Sequence, residues 1–356
     1  ERCRELSPGR MEEEIRQAAA DAAENIEILP LPGYDAVPPM AGEKTTEELS
    51  FRSVTGRIES EWRLSSFSSL VLGAHLAPEG PDHDEAGPGA VVVEELEPGP
   101  VTFDDIFSFP RGARAGSFLH ELLEYTNFKD VGKPETADLV RTKCEIHGFD
   151  LMWTDAVTGM LQNLVSTFLS PDLPGFTLSE LMPGDRLNEL EFLFPMARMT
   201  PDLLAGAFRL NQRGIPEWLP ETIGRLQFPP AKGFMKGFID MVFQRGNRFY
   251  LVDWKSNFLG DKIEDYRRDR LDRAMETGYY ILQYHIYALA LDRYLALRIP
   301  DYRYQDHFGG VFYVFLRGVR REAGPDYGIF RDRPSEETIG ALRECMLDSS
   351  PEQGMS

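Results

Sequence analysis

The residues best placed to do chemistry in this 356-residue chain are two acids and a lysine in one apolar hairpin. Residues 233–244 (GFMKGFIDMVFQ) and 248–256 (RFYLVDWKS) read as strands, and Gly246-Asn247 between them suits a tight turn. With a two-residue loop Arg245 faces Arg248, and counting back sets Asp240 opposite Asp253. Side chains alternate along a strand, so Lys255 shares the face of Asp253. The neighbours are apolar, among them Ile239, Met241, Val242, Leu251 and Val252. Two carboxylates meeting in such surroundings repel unless a proton or a cation lies between them. Oxygen ligands suit a hard divalent ion, Mg2+ or Mn2+. Lys255, one strand step on, is placed to hold a water or to offset charge on a phosphate. The plainer alternative is a structural Asp pair with Lys255 as counter-ion, since D-x-K alone is a common string.

Other candidates are weaker singly. His120 sits mid-helix in FLHELLE, but the fifth position of HELLE is Glu124 and not a second His, so zinc-protease chemistry is excluded. Gln283 and Tyr287 are four apart in LQYHIYALAL and share a helix face. They either stitch helix to sheet or line a site. Glu189 and Glu191 share one face of a strand over 187–195; either one is a further acid for the ion, or both form a solvated edge. Arg267, Arg268, Arg270 and Arg273 make the densest basic cluster. Interleaved Asp265, Asp269 and Asp272 make a salt-bridged surface helix as reasonable a reading as a phosphate track.

Positioning these residues requires a mixed sheet with helices on it. SFLHELLEYTNF (117–128) is amphipathic, and 134–170 holds further helices. After the hairpin come a long helix from Met275 to Arg298, a strand over 309–319 and a closing helix from Ser335 to Met346. The order gives an α/β domain, a mixed sheet flanked by helices. Upstream, residues 1–60 are polar and interrupted, with helical composition over 11–29. Residues 76–100 are rich in Pro, Gly and acids and contain no Lys or Arg, as a flexible tether would be. The expected division is therefore a tail over 1–75, a linker over 76–100 and a catalytic domain over 101–356.

Composition narrows the function classes. At 42% hydrophobic residues the chain can fill a core without disulfides. Cys3, Cys144 and Cys345 are far apart, which argues against a zinc ribbon, an iron–sulfur cluster or a secreted disulfide framework and favours a reducing cytoplasm. No run of eighteen apolar residues suggests a membrane span. The first residue is Glu, with nothing like a signal peptide after it, so the chain is expected to begin partway through a longer one. A net charge of −20 opposes phosphate on average. Either the substrate is not a nucleic acid, or another protein delivers it.

Two segments, GFIDMVFQRGNRFYLVDWKSNFLG (237–260) and LQYHIYALALDRYLALRIPDYRYQDHFGGVFYVFLRGV (282–319), closely resemble the carboxy-terminal nuclease domain of the RecB family. FPRGARAGSFLHELLEYTNF (109–128) looks like that family's entry helix, and WRLSSFSSL (62–70) like the segment where its motor ends. The resemblance implies a PD-(D/E)xK, restriction-endonuclease-like fold and a DNA nuclease within a RecBCD-type helicase–nuclease. It implies metal binding by His120, Asp240, Asp253 and the backbone carbonyl of Trp254, with Lys255 catalytic and Gln283 and Tyr287 matching the Q-x-x-x-Y motif. Trp254 stands where a Tyr is expected, which matters little if only its carbonyl touches the ion. The implied cofactor is Mg2+, with Mn2+ a substitute and Ca2+ bound but poorly active. The implied partners are DNA, RecC-like and RecD-like subunits and a helicase region of the same polypeptide. A motor that feeds strands to the site would answer the charge puzzle. No GxxxxGK[ST] loop occurs here, so no ATP hydrolysis is expected. The rival reading is a nuclease-like scaffold that binds partner subunits without cutting.

Overall fold

Buried and part-exposed residues alternate from Ala231 to Phe238 in the longest strand among the described residues. The computed structural model describes residues 62–72, 103, 105–210 and 214–347, with Glu13, Arg16 and Gln17. By contacts the chain divides into Glu1–Ile58 and Glu59–Ser356. Of the first unit, the three described residues are helical and exposed. The expected linker over 76–100 lies outside the described residues.

In the second unit, strands β1 (Trp62–Ser65), β2 (Arg186–Met199), β3 (Ala231–Arg245), β4 (Arg248–Lys255), β5 (Phe308–Phe315) and β6 (Ile329–Asp332) form one mixed sheet. Among the described residues, helices α1 (Phe67–Val71), α2 (Ala113–Tyr125), α3 (Pro134–His147) and α4 (Thr154–Ser166) all lie between β1 and β2 in the chain. They are followed by α5 (Pro201–Leu210), α6 (Leu219–Gly224), α7 (Arg268–Thr277), α8 (Tyr280–Ala296), α9 (Tyr304–His307) and α10 (Glu336–Met346). One core gathers β2, the first half of β3 and helices α5–α8 and α10. A second core joins α2–α4 to Met241, Phe243, Val252 and Trp254. The result agrees with the expected mixed sheet flanked by helices. None of the described helices is long and apolar enough to cross a membrane.

The sheet forks at β3. Along one edge β3 pairs with β2 for nearly its whole length. Along the other it pairs in parallel with β1 over Lys232–Met235 and antiparallel with β4 over Met241–Arg245. Trp62–Val71, within the expected tail, thus supplies a strand and a buried helix to this sheet. Gly233 permits the close approach of β1: its φ is +133°, and a Cβ there would lie 2.2 Å from the Arg63 carbonyl oxygen. Gly246 has φ +59°, the left-handed conformation required at the first position of a type II′ hairpin.

The long helix expected from Met275 breaks at Gly278–Tyr279, and Tyr279 itself is left-handed at φ +54°. From Tyr280 onward α8 is buried nearly all round, the mark of a core helix. Polar residues are enclosed in the fold as well. His285 is fully buried, its Nδ1 2.7 Å from the Ile281 carbonyl oxygen, and burial lowers its pKa from 6.5 to about 4. Arg317, also fully buried, donates to the carbonyls of Ser256, Ile106, Phe109 and Pro110 and so ties the end of β4 to the loop before α2.

Two outcomes follow from these burials. Replacing Arg317→Met strands four buried carbonyls and is expected to lower stability by about 3 kcal/mol, read from the urea midpoint, with Arg317→Lys restoring only part. His285 is held neutral, so the stability it contributes is complete above its unfolded pKa of 6.5 and falls as pH drops towards 4. At pH 5 that loss amounts to about 2 kcal/mol relative to pH 7. A pH series of melting curves should therefore be flatter for His285→Leu than for the parent.

Candidate metal centre

Asp240 stands at the fork. The β3–β4 ladder ends at Met241↔Val252, one step short of it. Instead of continuing the ladder, the Trp254 peptide N–H donates to Asp240 Oδ2 at 2.6 Å. Alternation also breaks here: Ile239 packs in the first core and Met241 in the second. On the other edge, Glu189 lies between the pairs Asn188↔Met241 and Leu190↔Ile239, and so faces Asp240. Its φ is +49°, a left-handed conformation that costs a non-glycine residue about 1 kcal/mol or more. A strained acid opposite a second acid is best explained by something that both of them bind.

Helix α2 brings the third group. Phe118, Leu119, Leu122 and Leu123 bury its inner face, and His120 lies among them at the fork. Asn188 Nδ2 donates to the Glu124 carbonyl at 2.7 Å and Arg186 to the Thr126 carbonyl at 2.5 Å, which dock β2 onto the end of α2. His120 Nδ1 is 3.5 Å from Asp240 Oδ1. One ligand atom each from His120, Glu189 and Asp240 lie within 4.8 Å of one another. An imidazole with two carboxylates is a suitable donor set for a divalent ion, whose charge would offset their repulsion.

Asp253 and Lys255 are placed differently from the expectation of facing carboxylates. Asp253 is not a member of that three-residue group. Its Oδ1 is 2.7 Å from Lys255 Nζ, and both side chains are almost wholly buried. Lys255 Nζ donates to Gln283 Oε1 at 3.2 Å and stands 4.0 Å from the centre of the Tyr280 ring. Gln283 also accepts from Tyr313 Oη at 2.9 Å and donates to Tyr287 Oη at 3.1 Å. Carboxylate, amide and aromatic faces together compensate the buried ammonium. Residue 254 joins the two groups: its N–H serves Asp240, while its indole packs edge-on to Phe128. That leaves Trp254 only its main chain to offer at the fork.

The remaining candidates lie apart. Glu191 pairs with Lys236 at 2.8 Å. Glu121 is held by Lys143 and His147, whose hydrogen bonds lower its pKa, so it serves to dock α3 on α2. Arg267 pairs with Asp269 and Arg268 with Asp272, while α7 packs on α8 and β6, with Arg270 and Arg273 exposed. Tyr280 and Tyr313, which hold Lys255 and Gln283, carried no signal in sequence beyond lying in aromatic-rich elements. Glu189 was one of two alternatives, and its backbone conformation is what distinguishes it.

No family model matches the chain. Curated relatives do. It is 35% identical to RecBCD enzyme subunit RecB of Escherichia coli over 329 residues, 90% of this chain and 26% of that protein. The same subunit of Haemophilus influenzae is 33% identical, with the same shares covered. That of Mycolicibacterium smegmatis is 32% identical over 89% of this chain and 32% of its own length. The chain is a RecB relative, and it spans about a quarter to a third of the length of these proteins.

The fork makes its own forecast. Without metal, Glu189→Gln should melt at a higher temperature than the parent, because one of two opposed acids has become neutral. With Mn2+ added the order should reverse, since the parent gains more binding free energy. Equal metal-induced shifts in both proteins would show that Glu189 is not a ligand.

Proposed function

We propose that this RecB-related chain is a metal-dependent DNA nuclease domain of a RecBCD-type helicase–nuclease, hydrolysing phosphodiester bonds in strands fed to it by a motor. The observation that carries the reading is the convergence of His120, Glu189 and Asp240 within 4.8 Å, joined through one peptide to the Asp253–Lys255 pair. A divalent ion bound there, Mg2+ with Mn2+ as substitute, would polarise a phosphoryl oxygen and ease deprotonation of water. His120, Glu189 and Asp240 hold it, with Asp253 and the Trp254 carbonyl as the further ligands that the family resemblance implies. Ca2+ would bind the same oxygens but tolerate looser geometry and support little cleavage.

The chain's own residues supply the rest. Lys255 Nζ carries the positive charge of the site, and it is aimed by Gln283, which Tyr313 and Tyr287 hold in turn. Directed in this way, it orients a water and offsets charge gathering on the phosphate. Asp253, 2.7 Å from the Lys255 nitrogen, offsets the cost of burying it. DNA, RecC-like and RecD-like subunits and a helicase region of the same polypeptide are the proposed partners, in the cytoplasm. Delivery by such a motor fits a chain whose net charge of −20 opposes capture of DNA by its overall field.

Lys255→Ala is therefore expected to lower Mg2+-dependent cleavage of single-stranded DNA by about 100-fold or more while Mn2+ affinity by calorimetry is kept. Gln283→Ala should fall between that variant and the parent, because it frees the lysine without removing it. Cleavage at near the parental rate in Lys255→Ala would reduce the lysine to a counter-ion.

A further inference from the structure

The face of β3 that carries Asp240 continues beyond it as a row of another kind. The odd residues Ala231, Met235 and Ile239 enter the first core, while Lys232, Phe234, Lys236 and Phe238 turn the other way and are part-exposed. No β3 residue before Met241 belongs to the second core, so helices α2–α4 leave this stretch open. The paired strands extend it: Trp62 lies opposite Lys232 and is 57% exposed, and its ring meets Phe234 edge-on at 5.5 Å. Lysine and phenylalanine thus alternate, successive side chains standing about 7 Å apart, in a row that ends on the acids of the fork.

We propose that this open face is a track for an unpaired DNA strand, which it leads to the candidate metal centre. The proposal rests on the nuclease reading and adds the surface that would hold the substrate. Half-exposed aromatic rings stack on bases of any sequence, and lysines between them meet the phosphates. A duplex hides its base faces and gains little from such rings. Charge complementarity supports a nucleic acid over a protein partner: within a chain of net charge −20, β3 carries two lysines and no acid before Asp240. The acid facing the row from β2 is Glu191, which Lys236 neutralises at 2.8 Å while lying 5.1 Å from the centre of the Phe238 ring. Lys232 makes no ion pair among the described residues.

Tryptophan fluorescence of the 356-residue chain tests the track in EDTA, where binding is separated from cleavage. Of the four tryptophans, Trp153 and Trp254 are buried, Trp218 is half-buried and Trp62 is exposed, so the part of the quench that Trp62→Phe removes reports stacking of a base at Trp62. Oligothymidylate is expected to quench the parent, and a hairpin duplex to do so far less. Trp62→Phe should keep affinity within about twofold and lose most of the quench, while Trp62→Ala weakens binding about tenfold. Lys232→Ala should lower the slope of log affinity against log salt by about 0.7, the value for one phosphate contact on a single strand. If Trp62→Ala fails to fold, the surface change Lys232→Ala decides by itself. Absence of binding at low salt, binding by anisotropy without a quench, equal quenching by duplex, or an unchanged salt slope would each overturn the track. The nuclease reading fails separately: a strand that quenches Trp62 but is not cut with Mg2+ leaves the track standing and removes the nuclease.

Discussion

Opposed acids at a place where the sheet cannot close are the constraint on which this structure turns. Strand β3 is shared by β1 and β4 along one edge, and Asp240 sits where neither completes a ladder with it. On the opposite edge Glu189 keeps register with β3 only by taking a left-handed backbone. Neither arrangement is favourable for a sheet in itself. Both become reasonable once the carboxylates share a cation, because the ion offsets repulsion that low local polarity would otherwise magnify.

The rest of the architecture serves this point. Helix α2 is docked through buried leucines and through β2 side chains that bond its last carbonyls, which sets His120 beside Asp240. Arg317 ties the loop preceding α2 to the end of β4, so the two elements that supply His120 and Lys255 are fixed to each other through main-chain carbonyls. From the other face α8 presents Gln283 and Tyr287, and its burial on all sides holds that amide in place. The site is thus built from both layers on either side of the sheet. An interaction lost in one layer would loosen ligands that lie in the other.

Charge is distributed with the same economy. The overall excess of acids weakens any general attraction for phosphate, and Arg267 and Arg268 at the start of α7 are matched by Asp269 and Asp272. Positive charge is kept for particular places: Lys255 inside, and Lys232 and Lys236 along the open face that leads to the fork. A domain arranged in this way gains selectivity from position rather than from its net field.

Much of this was legible in the sequence because it depends on short-range rules. Alternation and the Gly246-Asn247 turn gave the hairpin register, and period-two spacing put Lys255 on the face of Asp253, where the two pair. Four-residue spacing put Gln283 beside Tyr287. Those inferences need only backbone geometry. What the tertiary structure decided is where the rules stop. Counting back along the strands set Asp240 against Asp253, but the ladder ends before reaching them, and Asp240 turns to the Trp254 amide and to His120 instead. The choice of Glu189 over Glu191 rests on one left-handed residue, and the alternating pattern over 187–195 contains no sign of it. The helix expected to run through Gly278 breaks there, and Trp62–Val71, more than 150 residues away in sequence, completes the sheet beside β3. Contacts of that range arise from packing of the assembled layers, and local pattern carries no information about them.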